Sequence, residues 1–175
     1  MDSSEFFSFI AGRSSVRDYP PQELDSGVLE FLLGCASTAP SAGNLEAWDA
    51  VAVQDRSIRL KLSDAALHQA HIAEAPLVLV VCANYPRSMS RYGERGRLYA
   101  IQDATIACTY MMLAAHALGL HTCWTGAFDE ERVRGILGIP PEIGAVAMLP
   151  VGRGRQEPYR TGRMPVDRHL HMDRW

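Results

Sequence analysis

Arg13-Ser14-Ser15-Val16-Arg17 sets two guanidinium groups four residues apart with two hydroxyls between them. Such a group could surround a small anion, the arginines giving paired charge-assisted donors and the serines shorter ones. A solvated basic turn is the other reading of the same segment. Further on, Pro40-Ser41-Ala42-Gly43-Asn44 forms a loop ahead of Trp48. Asn44 offers a donor and an acceptor together, which suits the edge of a heterocyclic ring, although asparagine also serves a glycine-containing turn for its own sake. His68, His71 and Glu74 are spaced three apart and would share a helix face. They lack further ligands at matching spacing, so no metal site is assigned. Gly152-Arg153-Gly154-Arg155 has neither a third glycine nor a following helix and is not a dinucleotide fingerprint. With no phosphate-binding Gly-x-x-x-x-Gly-Lys loop and no triad in view, no catalytic side chain is named.

Composition narrows the setting for this chemistry. The 175 residues suit one domain spanning the whole chain, 1–175, and the 47% hydrophobic and 21% charged content is ordinary for a globular protein. A net charge of −3 gives no electrostatic reason to expect nucleic acid. The basic residues are sixteen arginines against the single Lys61, a bias that favours gripping phosphate with a planar fork and that genome composition also produces. Cys35, Cys82, Cys108 and Cys123 form no Cys-x-x-Cys pair and stand in apolar surroundings, as reduced cysteines of a cytoplasmic protein would. No basic region followed by an apolar run opens the chain, so no secretory leader is expected.

The elements that must position these groups centre on Tyr99–Leu118. This stretch is apolar on nearly every side, rich in alanine, and closed by Gly119. At helical rise it is about 30 Å long, and it should form the floor of a core or of a subunit interface. Gln102, Asp103, Thr105, Thr109 and His116 argue against a membrane span. Around it the periodicity predicts helices over residues 4–12 (capped by Ser3 or Ser4), 24–37, 58–70 and 130–137. Strands are predicted at 50–53, 77–83 and 145–151, with a short buried strand or loop over 120–128. Tyr85–Arg97 reads as polar and irregular, either a mobile flap over a ligand site or a solvated connection. The tail from Pro158 to Trp175 must pack on something, a second subunit being one candidate.

Taken in order, these pieces resemble the nitroreductase family of FMN-dependent oxidoreductases over nearly the whole chain. Arg13-Ser14-Ser15-Val16-Arg17 is similar to the family's Arg-x-Ser-x-Arg/Lys entry segment, and Pro40-Ser41-Ala42-Gly43-Asn44 to its Pro-Ser-x-x-Asn loop. Gly119-Leu120-His121-Thr122-Cys123-Trp124-Thr125-Gly126-Ala127-Phe128 resembles Gly-Leu-x-x-x-Trp-x-Gly-x-Phe. Leu149-Pro150-Val151-Gly152 and Arg163-Met164-Pro165 resemble two later motifs. The family usually continues its second loop with Gln-Pro-Trp, where this chain has Glu46-Ala47-Trp48.

The resemblance implies an α+β fold: a mixed central sheet of four to five strands flanked by helices, with a long buried central helix. It implies a homodimer with FMN at the interface and NADH or NADPH as electron donor. It places Arg13, Ser14, Ser15, Arg17, Gln69, Trp124, Thr125, Gly126, Ala127 and Arg163 at the cofactor. Pro40, Ser41, Ala42 and Asn44 would reach the flavin held mostly by the other subunit. Arg13, Arg17 and Arg163 would neutralise the phosphate, Arg17 would also stabilise charge near N1, and an N–H near Gly126 would face N5. The cofactor then carries the hydride chemistry. The implied activity passes hydride from NAD(P)H through flavin N5 to a nitroaromatic, a quinone or a similar small acceptor in a ping-pong cycle. A specialised enzyme of the same fold acting on one substrate, and a non-catalytic FMN-binding or redox-sensing protein, are the alternatives. The chain is short for the family, and Arg87–Arg97 is the candidate cover for the flavin.

Overall fold

The structure is a computed structural model and describes residues 1–155 and 162–175. Four strands form one sheet in the order β1-β2-β4-β3: β1 (Trp48–Val53), β2 (Leu77–Asn84), β3 (His121–Thr122) and β4 (Ile143–Gly152). All three strand pairings are antiparallel. The parallel component is a single bridge from Ser15 to Thr122, which brings the N-terminal segment alongside the sheet's edge.

β2 is Val- and Leu-rich and buried on both faces because helices cover both sides of the sheet. Its side chains alternate between two cores, as a period of two dictates. Leu77, Leu79, Val81 and Ala83 join the long helix α6 (Arg95–Ala117) and helix α2 (Val28–Ala36) on one side. Val78, Val80 and Cys82 join α3 (Arg56–Ala65) and α7 (Glu130–Leu137) on the other. A bulge between Val81 and Cys82 leaves Val146 unpaired, so Val146 and Ala147 both face the α6 side.

The central helix is longer than its apolar run predicts, 23 residues, and it is not covered all round by its own chain. Ala100, Asp103, Ala104, Ala107, Cys108, Met111, Ala114 and Ala115 form the buried face. Leu98 and Ile101 are exposed on the opposite side with Thr105 and Thr109. Alanine at most buried positions lets the helix lie close on β2 and β4.

Local chemistry corrects several expected boundaries. Helix α1 (Ser3–Gly12) is capped by Asp2 rather than by Ser3 or Ser4: Glu5 N donates to Asp2 Oδ1 at 2.8 Å, and Asp2 N donates to Glu5 Oε2 at 2.7 Å. None of its residues is buried. The helix expected over 58–70 is α3 followed by the short α4 (Ala70–Glu74), separated by Leu67 and His68 at positive φ. That break separates the histidines. His68 is exposed and sits 3.2 Å from Asp64, while His71 is buried. No group of three potential metal ligands occurs among the described residues.

Tyr85–Arg97 is helical rather than irregular. Helix α5 (Tyr85–Tyr92) starts at Asn84, whose side chain accepts from Arg87 N at 3.0 Å, and a turn at Gly93 delivers the chain into α6. Gly96 is packed so closely that a Cβ there would lie 2.6 Å from Met89 N. Residues 162–175 are exposed throughout, and the earlier part of the predicted tail, 158–161, lies outside the described residues. No helix among the described residues is long and apolar enough to cross a membrane.

Candidate functional site

The Arg13–Arg17 segment leaves α1 in extended conformation and is fastened to the sheet by Val16 N, which donates to Thr122 O at 3.1 Å. Val16 is fully buried and acts as the anchor, so its neighbours point elsewhere. Arg13 Nη1 and Ser14 Oγ are buried with no hydrogen-bond partner. Burying such groups unpaired is costly, and native structures rarely do so without a reason. Ser15 and Arg17 are exposed beside them. The donor set (two guanidinium groups and two hydroxyls) fits a dianionic phosphate such as that of FMN, with Arg13 Nη1 and Ser14 Oγ as the ready donors.

The segment Cys123–Ala127 runs past the same arginines and is braced at three points. Thr125 N donates to Met148 O and Met148 N donates to Thr125 O, each at 2.9 Å. His71 Nε2 lies 3.0 Å from Thr125 Oγ1. Gln69 Nε2 donates to Ala127 O at 3.0 Å and to Ala66 O at 2.8 Å. Both amide hydrogens of Gln69 are therefore used within the protein, leaving its carbonyl oxygen for any ligand. Gly126 and Ala127 are exposed, whereas Trp124 is half-buried against the α6 core. Burial lowers the pKa of His71, and the positive charge of Arg17 adds to the shift. Burial raises the Cys123 thiol, opposed by Arg17, by hydrogen bonds with Thr125 and Ser15, and by Arg13. Both shifts, beside Arg13 and Arg17, favour the neutral imidazole and the neutral thiol.

The loop Pro40–Asn44 is built around a buried carboxylate. Ala42 N donates to Asp103 Oδ1 at 2.9 Å and Ala47 N donates to Asp103 Oδ2 at 3.1 Å. Ser41 Oγ accepts from Glu46 N at 3.0 Å, so this predicted site residue is part of the loop's own frame. Gly43, Asn44 and Glu46 take φ values of 58°, 56° and 47°. Only glycine adopts that region freely, so the two side-chain residues need outside support. Arg87 supplies it, donating to Glu46 O, to Trp48 O at 3.1 Å and to Asp49 Oδ1 at 2.9 Å. Pro40 and Asn44 are exposed, Ser41 and Ala42 half-buried.

Two of the residues that hold these segments, Asp103 and His71, are not among the predicted site residues. A carboxylate inside an alanine-rich helix is the sequence signal for Asp103, and burial on that helix gives it its role. His71 carries no comparable signal once the metal reading is set aside.

Within one chain the predicted residues fall into separate groups. Arg13, Ser14, Ser15, Arg17, Gln69, Trp124, Thr125, Gly126 and Ala127 are neighbours along one edge of the sheet. Among the described residues, no hydrogen bond or ion pair joins the Pro40–Asn44 loop to that group. Arg163 is exposed in the tail.

A model of the nitroreductase family matches residues 10–71 and 63–153. The chain belongs to the nitroreductase family. A Thermus thermophilus relative named NADH dehydrogenase is 32% identical over 184 residues, covering 89% of this chain and 90% of the relative. An Archaeoglobus fulgidus relative, a putative NADH dehydrogenase/NAD(P)H nitroreductase, is 30% identical over 178 residues, covering 98% and 99%. Among solved structures, NfrA2 of B. megaterium superposes with a TM-score of 0.91 at 26% identity, covering 100% of this chain and 76% of that one. The α+β architecture and the long central helix are thus those of the nitroreductase family. Its shared core includes both the Arg13–Arg17 segment and the Pro40–Asn44 loop.

Proposed function

We propose that this chain is an FMN-dependent NAD(P)H oxidoreductase that reduces small planar acceptors such as nitroaromatics and quinones. One observation carries the reading: Arg13 Nη1 and Ser14 Oγ are buried without partners, next to exposed Arg17 and the braced segment Thr125–Ala127. The names of the two relatives, NADH dehydrogenase and putative NADH dehydrogenase/NAD(P)H nitroreductase, agree with it. Bound FMN supplies the two-electron chemistry, so the protein's tasks are binding, orientation and electrostatics.

Arg13, Ser14, Ser15 and Arg17 hold the phosphate, with Arg17 also favouring negative charge on the ring. Thr125–Ala127 presents backbone to the ring edge, kept in place by His71 and Gln69. The working unit is a homodimer in which Arg163 completes the phosphate site and the Pro40–Asn44 loop reaches the flavin held mostly by the other subunit. Exposed apolar residues favour that assembly: Phe7 and Ile10 on α1, Leu98 and Ile101 on α6, and Met164, Val166, Leu170 and Trp175 in the tail. One open site serving nicotinamide donor and acceptor in turn gives ping-pong kinetics.

The deciding experiment is a spectrum of the purified protein before and after anaerobic NADH or NADPH, with size-exclusion chromatography alongside. A yellow dimer that bleaches with nucleotide and recovers on adding a quinone is the expected result. A colourless monomer that takes up no FMN overturns the proposal. A yellow protein that neither nucleotide bleaches is a binding module instead.

A further inference from the structure

The start of α6 and the end of α5 carry a surface outside the residues assigned to the flavin phosphate and ring edge. Arg91 lies over the Tyr92 ring at 5.6 Å, Arg95 over Tyr99 at 5.6 Å, and Arg97 over Tyr85 at 4.7 Å. Tyr92 and Tyr99 meet edge to face at 5.0 Å, which joins the first two pairs into one cluster. Stacking on aromatic rings holds the guanidinium planes while leaving their N–H edges open. Arg87, on the same helix, is spent on Asp49 and two carbonyls. By contrast, none of Arg91, Arg95 and Arg97 has a carboxylate within 4.0 Å among the described residues, although exposed Glu94 stands between them in sequence. Arg91 and Arg95, joined through Tyr92 and Tyr99, are thus cations without an ion-pair partner among the described residues, on a chain of net charge −3.

The cluster is fastened to the Pro40–Asn44 loop. Arg91 Nη1 donates to Gly43 O at 3.3 Å, and a Cβ on Gly43 would lie 2.3 Å from Tyr92 Oη. Whatever the loop faces, the Arg91–Tyr92–Arg95 surface borders it.

We propose that Arg91 and Arg95, held by Tyr92 and Tyr99, form a receptor for the anionic group of a planar reactant entering beside this loop. The ligand class is an aromatic ring bearing a carboxylate, sulfonate or phosphate. The anion can belong to the acceptor or be the extra phosphate that distinguishes NADPH from NADH. The inference rests on the reading of the Pro40–Asn44 loop as flavin-facing. It deepens that reading by naming the charge that reactants carry.

The test titrates the purified protein and its Arg95→Glu and Arg91→Gln variants at low ionic strength by calorimetry. The probes are two matched pairs: 4-nitrobenzoate against 4-nitrobenzamide, and NADP+ against NAD+. Turnover with the same acceptors is measured in parallel. The expected result is that Arg95→Glu weakens the more anionic member of at least one pair, 4-nitrobenzoate or NADP+, tenfold or more, and weakens its less anionic counterpart by a clearly smaller factor. Arg91→Gln should shift the same pair in the same direction by a smaller factor. A loss confined to 4-nitrobenzoate makes the acceptor the source of the anion, and one confined to NADP+ makes it the nucleotide. Unchanged ratios in both pairs overturn the proposal. A charge preference in binding without any turnover sinks the oxidoreductase reading and leaves the receptor standing.

Discussion

His71 Nε2 and Thr125 Oγ1 meet at 3.0 Å inside the protein, joining α4 to the segment between β3 and α7 across 54 residues of sequence. The pair fixes the backbone that leads into Gly126, the part of the chain assigned to the ring edge. Both residues are almost fully buried, so neither can turn to water for a replacement partner.

Thr125→Val keeps the shape of the side chain and strands the imidazole nitrogen. Leaving a buried polar group unpaired costs about 1–3 kcal/mol. Urea denaturation should show a loss of that order, with a larger drop in FMN retention than His68→Ala produces. Equal retention in the two variants would remove the positioning role from His71.

Asp103→Asn should loosen the Pro40–Asn44 loop. The carboxylate accepts from Ala42 N and Ala47 N, and an amide can accept through only one of its two ends. One backbone N–H is left facing an NH2 group, again at about 1–3 kcal/mol. Thermal unfolding checks the stability, and limited proteolysis checks whether cleavage appears between 40 and 46.

Acid should weaken the protein through its histidines. Burial is the main cause that lowers both His71 and His121 below the usual value of 6.5, with Arg17 assisting at His71 and His116 at His121. His121 Nδ1 accepts from Gly154 N at 3.2 Å, a bond that its protonated form cannot make. With folded values below unfolded ones, the unfolded chain binds more protons between them. Stability is then complete above about pH 6.5 and falls as pH drops from there through the lowered folded values. Melting temperatures between pH 7.5 and 5.5 should fall, and less so in His121→Asn. A flat profile would contradict the shifts.

Arg13→Ala and Arg163→Ala should each lose FMN on dialysis, since a hydrogen bond to a charged group is worth about 1.5–3 kcal/mol. Retention of flavin by both variants would overturn the phosphate assignment.

How much of this was legible in the sequence depended on where the partners lie. Helix α7 matches its expected span, 130–137, because both ends carry local signals: Asp129 caps Arg132 N, and Gly138 closes the helix at φ 66°. β2 announced itself through composition alone, being buried on both faces. The helix over 58–70 failed because its break is tertiary. Gln69 Nε2 reaches Ala127 O at 3.0 Å across 58 residues, a contact that no window of sequence contains. Tyr85–Arg97 looked irregular from its charge, yet Asn84 starts a helix there and Gly96 admits the next one against it.

The site divided along the same line. Arg13–Arg17 and Pro40–Asn44 are contiguous and could be found as motifs. Asp103 meets its loop from 61 and 56 residues away, a pairing that only the folded chain displays.

Helix α1 has ten residues and buries none of them. In water a helix that short is marginal by itself, and its capping box offsets only part of the deficit. Its last turn hands over directly to Arg13, the first donor of the anion site. Whatever covers Phe6, Phe7 and Ile10 therefore also sets how firmly Arg13 is held. In the proposed dimer the second copy supplies that cover, so dilution should fray the amino-terminal helix and release FMN before the sheet itself gives way.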